Sequence, residues 1–387
     1  MRDIRELFPT DDPVTPDLLI GRREDVRELA ARLNDGTHMV VAGPRRTGKS
    51  SVCLAALRRV RSPRVYTARV DLWDHENLES LTQTLAQSII ANRGPVAKAL
   101  RRARESGREL RELLPVGVTA ALRTHLGEDV ELAWSTRPSG QAPGSSLAGA
   151  IRLAQRIAEQ DNRRIVLFLD EFQDIATPAQ RFGDPDVLTK QLRSQLQRSP
   201  LISLLFAGSM EHLMRDLFGP GRRALSQFGN YYELTPISPR EWEAGIGARY
   251  RELDVEAADG MIGEVVVLGE GHPRTTMLIA RETLTVTLAR GEGRRIELGD
   301  VRGGHELAMQ ADRLRHEEIV ERLRSTAHAY SIALRVARGQ RPYSGAPSSG
   351  ARRALSVMER AGIAEHRGRG AWVIPEPLLR RYLAARL

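Results

Sequence analysis

Between Asn34 and Gly43 the chain passes through His38-Met39-Val40-Val41-Ala42, a short apolar run closed on both sides by turn-favouring residues. A run of that length reads as a strand. The segment before it reads as a helix, because Val26, Leu29, Ala30 and Leu33 recur at three- and four-residue spacing until Asn34-Asp35-Gly36 stops them. The alternation then repeats: helices are predicted over 50–60, 78–91, 151–159 and 187–197, and strands over 64–71, 165–169 and 201–207. The 165–169 run, Ile-Val-Leu-Phe-Leu, has no polar alternation at all, which marks a strand buried on both faces. Strands alternating with helices predict an α/β fold with a parallel sheet covered on both sides.

The rest of the chain is patterned differently. Residues 1–17, with Pro9, Pro13 and Pro16, read as a short helix and an extended arm without a core of their own. From 93 to 149 the pattern weakens into Arg- and Leu-bearing helical stretches and a loop rich in Pro, Ser and Gly, an insertion whose role the pattern does not define. Residues 239–311 look mainly helical. Helical patterns around 319–337 and 351–361, followed by two short strands across Arg367-Gly368-Arg369-Gly370, suggest a winged helix. The expected division is an arm (1–17), a nucleotide-binding core (18–238), a helical lid (239–315) and a winged-helix domain (316–387).

The chemistry gathers where apolar runs end. After the first strand comes Gly43-Pro44-Arg45-Arg46-Thr47-Gly48-Lys49-Ser50, which matches GxxxxGK[ST] between a strand and a helix, the context that motif demands. Its glycines let backbone N–H groups converge with the helix N-terminus on a β-phosphate, Lys49 reaches the β and γ oxygens, and the Ser50 hydroxyl ligates Mg²⁺. Asp170 and Glu171 close the 165–169 strand as a Walker B pair: Asp170 for the Mg²⁺ water shell, Glu171 to orient and deprotonate the attacking water. Ser209, also at a strand end, is a candidate sensor of the γ-phosphate; the alternative is an ordinary helix-capping serine. Arg222 and Arg223, in a Gly-Pro-Gly-flanked loop, are candidates for an arginine finger reaching a neighbouring subunit, and Arg274, after Gly271-His272-Pro273, for a lid contact to phosphate. For all three, solvated surface charge is the competing explanation.

Gly-Pro-Arg-Arg-Thr-Gly-Lys-Ser-Ser (43–51), Leu-Asp-Glu-Phe-Gln-Asp (169–174), Ala-Gly-Ser (207–209) and Gly-His-Pro (271–273) together resemble the archaeal-type AAA+ ATPases, P-loop proteins akin to the STAND class and more distantly to replication-initiator ATPases. Ile20-Gly21-Arg22-Arg23-Glu24 is similar to their N-terminal signature, which implies a place near the adenine for Gly21. The resemblance extends over about 13–285. It implies a P-loop NTPase αβα sandwich with a parallel sheet, a helical lid, and a C-terminal winged helix, to whose final helix Pro377–Leu383 is similar. ATP and Mg²⁺ are the implied cofactors, with Gly43, Pro44, Arg45, Arg46, Thr47, Gly48, Lys49, Ser50, Ser51 and Arg274 around the nucleotide. Two features depart from the pattern. Gly-His-Pro-Arg fits the lid motif as well as a sensor arginine, and between Arg341 and Ser349 there is too little chain for a full second helix of a helix-turn-helix.

Composition sharpens this picture in two places. The formal charge is +9, and residues 319–387 hold 13 arginines against 4 glutamates, so the whole excess lies in the last sixth of the chain. That is the footprint of a nucleic-acid-binding module. On a winged helix, Ser348 or Ser349 would cap a helix presenting Arg352 and Arg353 to double-stranded DNA, with Arg367 and Arg369 at the wing tip. Protein contacts through the same basic surface are the alternative. No long apolar segment and no signal-like start occur, and Cys53 is the single cysteine, so a cytoplasmic protein off the membrane is expected. Two functions follow: an ATPase coupling nucleotide state to homo-oligomerisation and DNA binding, or a STAND-type ATP/ADP switch whose winged helix docks a protein partner. A small-molecule kinase is weaker, because nothing resembles an acceptor site.

Overall fold

A computed structural model describes residues 3–11, 13–92, 147–177, 181–219, 224–226, 228–291, 294–344, 347–368 and 370–386. They form two compact units, one of Glu24–Gly43 and Val52–Leu234, the other of Met1–Arg23, Pro44–Ser51 and Thr235–Leu387. No helix among the described residues is long and apolar enough to cross a membrane.

The first unit is built on a five-stranded parallel sheet of β1 (Met39–Ala42), β2 (Val65–Asp71), β3 (Arg164–Asp170), β4 (Ile202–Gly208) and β5 (Asn230–Tyr232), in the order β2-β3-β4-β1-β5. The predicted α/β fold is thus the observed one. Alternate residues of β3 serve two cores: Ile165, Leu167 and Leu169 pack with the Leu78–Ile90 and Leu147–Asp161 helices, while Val166 and Phe168 pack with the Arg23–Asn34 and Lys49–Val60 helices. This two-sided burial is why β3 and β4 read as uninterrupted apolar runs. Cys53 lies buried in the second of these cores as a small apolar residue. The Leu147–Asp161 helix begins four residues earlier than its periodicity indicates. The expected insertion, apart from 147–149, lies outside the described residues.

In the second unit the N-terminal residues pack into a core formed with the helices that follow residue 238. Asp3 caps the Ile4–Leu7 turn, and Leu7 and Phe8 are wholly buried among Trp242, Ile246, Tyr250 and Leu278. The helical stretch consists of helices Pro239–Glu252, Met261–Gly269, Pro273–Ala289 and Leu298–Ala311. The first opens with a capping box between Ser238 and Glu241, which satisfies two otherwise orphaned N–H groups.

The C-terminal segment has its own core around Val320, Ile332, Leu355, Met358, Ile374 and Leu383. The pattern around 319–337 is two helices, Arg313–Arg324 and Ala329–Ala337, broken where His328 adopts a left-handed φ of 64°. Next come helix Ser348–Arg360, an antiparallel pairing of Glu365–His366 with Trp372–Val373, and helix Pro377–Ala384. Neither Ser348 nor Ser349 caps its helix: Pro347 occupies the N-cap, with no side-chain cap bond.

Where the Pro273–Ala289, Arg313–Arg324 and Pro377–Ala384 helices begin, charges are buried together. Arg274 donates two hydrogen bonds to Asp312, at 2.5 and 2.7 Å, and lies 3.6 Å from Glu376, which also accepts from Arg315. His316, fully buried, offers a third ligand type beside the two carboxylates, but both acids already carry guanidinium partners. Burial pushes the His316 imidazole down to about 4, with Arg315 and Arg274 adding to the effect against Glu376 and Asp312.

Both of these packed regions can be tested through stability. Phe8→Ala removes a ring whose centroid lies 5.4 Å from that of Tyr250 and should cost about 3–5 kcal/mol, read as a shift in urea unfolding of the full chain. His316 is neutral when folded but titrates near its ordinary value when unfolded. As pH falls from about 6.5 toward 4, the unfolded state takes up a proton that the folded state refuses, and stability is lost. His316→Phe should therefore lose less stability than the parent between about pH 7 and pH 5 in thermal melts. An equal loss in both proteins would place the acid sensitivity elsewhere.

Candidate functional site

β1 runs directly into Gly43, and the loop that follows bends through left-handed positions at Arg46 (φ 64°) and Gly48 (φ 89°) before helix Lys49–Val60 begins. A Cβ at Gly43 or Gly48 would meet nothing within 4 Å, so glycine serves there for backbone conformation rather than for clearance. The loop is braced from within: the Thr47 hydroxyl donates to the Pro44 carbonyl at 2.9 Å, and the Lys49 ammonium donates to the same oxygen. Lys49 is buried, Ser50 half-buried, and Arg45 and Arg46 exposed. The Ser51 hydroxyl accepts from the Val14 amide at 2.9 Å, which ties the arm to the first turn of the helix.

Because the strands are parallel, β1, β3 and β4 end at one edge of the sheet, with Ala42 registered on Gly208 and Leu169 on Phe206. Asp170, buried, closes β3, and its Oδ1 accepts the Glu171 N–H at 3.1 Å. Glu171 itself sits at φ 48° and ψ 40°, a conformation that costs a non-glycine residue free energy and is found mainly where surrounding contacts enforce it. The contacts here are specific. Glu171 Oε2 accepts from the Ser209 hydroxyl at 2.8 Å and from Gln173 Nε2 at 2.5 Å, while Gln173 Oε1 accepts the Ser209 N–H at 3.1 Å. Gly208 makes room for this: a Cβ there would lie 2.6 Å from Gln173 Oε1 and 2.5 Å from Met214 Sδ. Asp71, registered beside Asp170 at the end of β2, is pushed above the usual carboxylate range by burial, with the charges of Asp74 and Glu171 adding to it.

The sequence marks Glu171 and Ser209 separately, and the structure joins them by a hydrogen bond. No motif marks Gln173, which grips both; the available signal is its place two residues after the acid pair. Gly21 lies beside the start of helix Pro239–Glu252, where a Cβ would be 2.6 Å from Ile237 Cγ2 and 3.2 Å from Glu241 Cδ. Arg274, expected near phosphate, instead has its guanidinium committed to Asp312, because three carboxylates surround it in the buried cluster. Arg352, Arg353 and Arg367 are exposed, the first two on the face of their helix opposite buried Ala351, Ala354, Leu355 and Met358. Arg222, Arg223 and Arg369 lie outside the described residues.

Residues 18–206 match the AAA ATPase domain family. Among solved structures, the chain is similar to a Walker-type ATPase of Pyrococcus abyssi, at 18% identity and a TM-score of 0.70 over 97% of this chain and 99% of that one. It is also similar to the ORC2 protein of Aeropyrum pernix, described in ADPNP–ADP complexes, at 16% identity and a TM-score of 0.59 over 98% of this chain and 95% of that one. No curated protein matches it in sequence. Residues 18–206 thus resemble an AAA ATPase domain, and the chain shares its fold with these archaeal proteins.

Proposed function

We propose that the chain binds Mg-ATP and hydrolyses it, and that nucleotide state governs self-association and DNA binding by the C-terminal segment. The observation that carries the catalytic part is the Glu171–Ser209–Gln173 triad of hydrogen bonds, at the sheet edge from which β1 opens into the P-loop. A base held by a hydroxyl that can also read the γ-phosphate is an arrangement suited to hydrolysis triggered by ligand arrival. In this reading Lys49 exchanges the Pro44 carbonyl for phosphate oxygens, and the loop N–H groups from Arg45 to Ser51 receive the β-phosphate. Ser50 and Asp170 supply oxygen donors only, hydroxyl and carboxylate, of the kind that Mg²⁺ takes. The ion would neutralise charge on the phosphates when bound. Arg222 or Arg223 remains the proposed finger toward a neighbouring subunit.

The DNA-binding part rests on the C-terminal segment, whose three helices, hairpin and final helix support the winged-helix reading. Arg352 and Arg353 stand outward on the Ser348–Arg360 helix, and Arg367 directly follows the Glu365–His366 strand; Arg369 remains a proposed contact from sequence. The ORC2 protein, described with ADPNP and ADP, supports nucleotide binding by analogy. One observation favours the switch instead: Arg380 and Arg381 of the last helix both pair with Glu270, directly before the Gly-His-Pro turn. A C-terminal segment fastened there could be released by nucleotide exchange to dock a protein partner.

Glu171→Gln should retain ATP binding and lose hydrolysis by about 100-fold or more. Duplex DNA titrated with that variant, followed by fluorescence anisotropy with and without Mg-ATP, tests the coupling. Salt-sensitive binding that ATP strengthens supports the DNA reading; absence of binding in both states gives first place to the switch. Arg352→Ala with Arg353→Ala should weaken binding and lower the slope of log K against log salt by about 0.9 for every phosphate no longer neutralised.

A further inference from the structure

A loop that turns its N–H groups toward a phosphate must turn its carbonyls away, and those carbonyls need partners of their own. In this P-loop three of the outward carbonyls can be followed to their donors. Pro44 is served from inside the loop by Thr47 and Lys49. The other two are served from outside the motif. The Thr47 carbonyl accepts from Arg22 Nη2 at 3.3 Å, and the Arg45 backbone beside the His272 ring favours a proton there, as an accepting carbonyl does.

Neither donor is there by chance of surface proximity. Arg22 is buried, and its second guanidinium nitrogen donates to the Thr235 carbonyl, at the start of the segment that leads into the lid. Gly21, at φ 63°, provides the turn that aims it, with the Ile237 and Glu241 side chains pressed where a Cβ would be. His272 occupies the N-cap of helix Pro273–Ala289, and its Nδ1 accepts the Thr275 N–H at 3.3 Å. With Nδ1 accepting, the ring proton is on Nε2, the nitrogen left to serve Arg45. Burial, helped by Arg274 and Lys49, pushes the ring down to about 4, so at neutral pH it holds this one-donor, one-acceptor state.

We propose that Arg22 and His272 are positioning residues of the phosphate site: by gripping the Thr47 and Arg45 carbonyls from lid-side elements, they hold the P-loop open to a β-phosphate. This role rests on the nucleotide-binding reading of the P-loop. It gives the N-terminal Ile-Gly-Arg box and the Gly-His-Pro turn one shared task, and it makes affinity for the phosphate chain respond to where Thr235 and the Pro273–Ala289 helix stand.

The test is competition binding of ADP and AMP to the full chain, against a fluorescent ADP analogue. AMP lacks the β-phosphate and reports everything except the cradle. The parent should prefer ADP. In Arg22→Ala and His272→Ala the ADP affinity should fall roughly tenfold while AMP is little changed, so the preference narrows. His272→Gln keeps an acceptor and an N–H donor and should restore it. Should Arg22→Ala not fold, Arg22→Lys decides the matter, because one ammonium cannot reproduce the two-armed grip and should also narrow the preference. An unchanged ADP-to-AMP preference in Arg22→Lys and His272→Ala, or equal weakening of both ligands with no recovery in His272→Gln, overturns the proposal. A parent chain that binds neither nucleotide, or that does not prefer ADP, fails at the earlier step and removes the P-loop reading itself.

Discussion

The burial of β3 and β4 on both faces constrains everything else in the first unit. Every position of β4 is buried, and all of β3 after Arg164 is buried as well, so neither strand can carry an unpaired polar side chain along its length. Polar chemistry is confined to the point where each strand ends. Parallel pairing then delivers those ends to one edge, and Asp170, Glu171 and Ser209 arrive there together with Gly43 of the neighbouring strand. The site is a consequence of the sheet before it is a consequence of any loop.

Beneath that edge the packing is aromatic. Phe172, Phe206 and Phe218 meet with centroid separations of 4.5, 4.8 and 5.6 Å, which fixes the turn after Asp170 from below. The left-handed Glu171 can persist because this cluster holds the residue after it, and because Ser209 and Gln173 hold its carboxylate. Arg181 adds an outer brace, donating to Asp174 and, at 2.9 Å, to the His75 carbonyl. A residue kept in an unfavourable backbone conformation by contacts on several sides has little freedom left in its side chain.

The parts of this arrangement legible in the sequence are those written in uninterrupted pattern. β3 and β4 announce themselves as apolar runs, and the P-loop and acid pair as spaced motifs beside them. β5 does not, because an edge strand of Asn230-Tyr231-Tyr232 is short, partly exposed and without apolar alternation. The break between Arg324 and Ala329 is hidden because apolar spacing continues across it, and only the φ of His328 reveals the turn. Arg22 and Gln173 belong to motifs whose other members draw attention; their roles are fixed by partners far away in sequence, Thr235 for the one and Ser209 for the other. Arg274 shows the converse. Its position after Gly-His-Pro invites a phosphate, and the three carboxylates that claim it come from the arm, from Asp312 and from Glu376, none of them foreseeable from local sequence.

The same distinction applies to charge. Counted along the chain, the last sixth carries the entire positive excess, yet several of its arginines are engaged within the fold. Arg380 and Arg381 pair with Glu270, and Arg338 donates to the carbonyls of Ala384 and Arg386. Exposed arginines remain on one helix face at Arg352, Arg353 and Arg360, and at the hairpin Arg367 lies 3.7 Å from Glu365. Concentration matters more than the sum, since salt at physiological strength screens exposed charges beyond about 8 Å, and only neighbouring arginines act on the same stretch of phosphates. Burial of the Ala351, Ala354, Leu355 and Met358 stripe decides which arginines of the Ser348–Arg360 helix face outward.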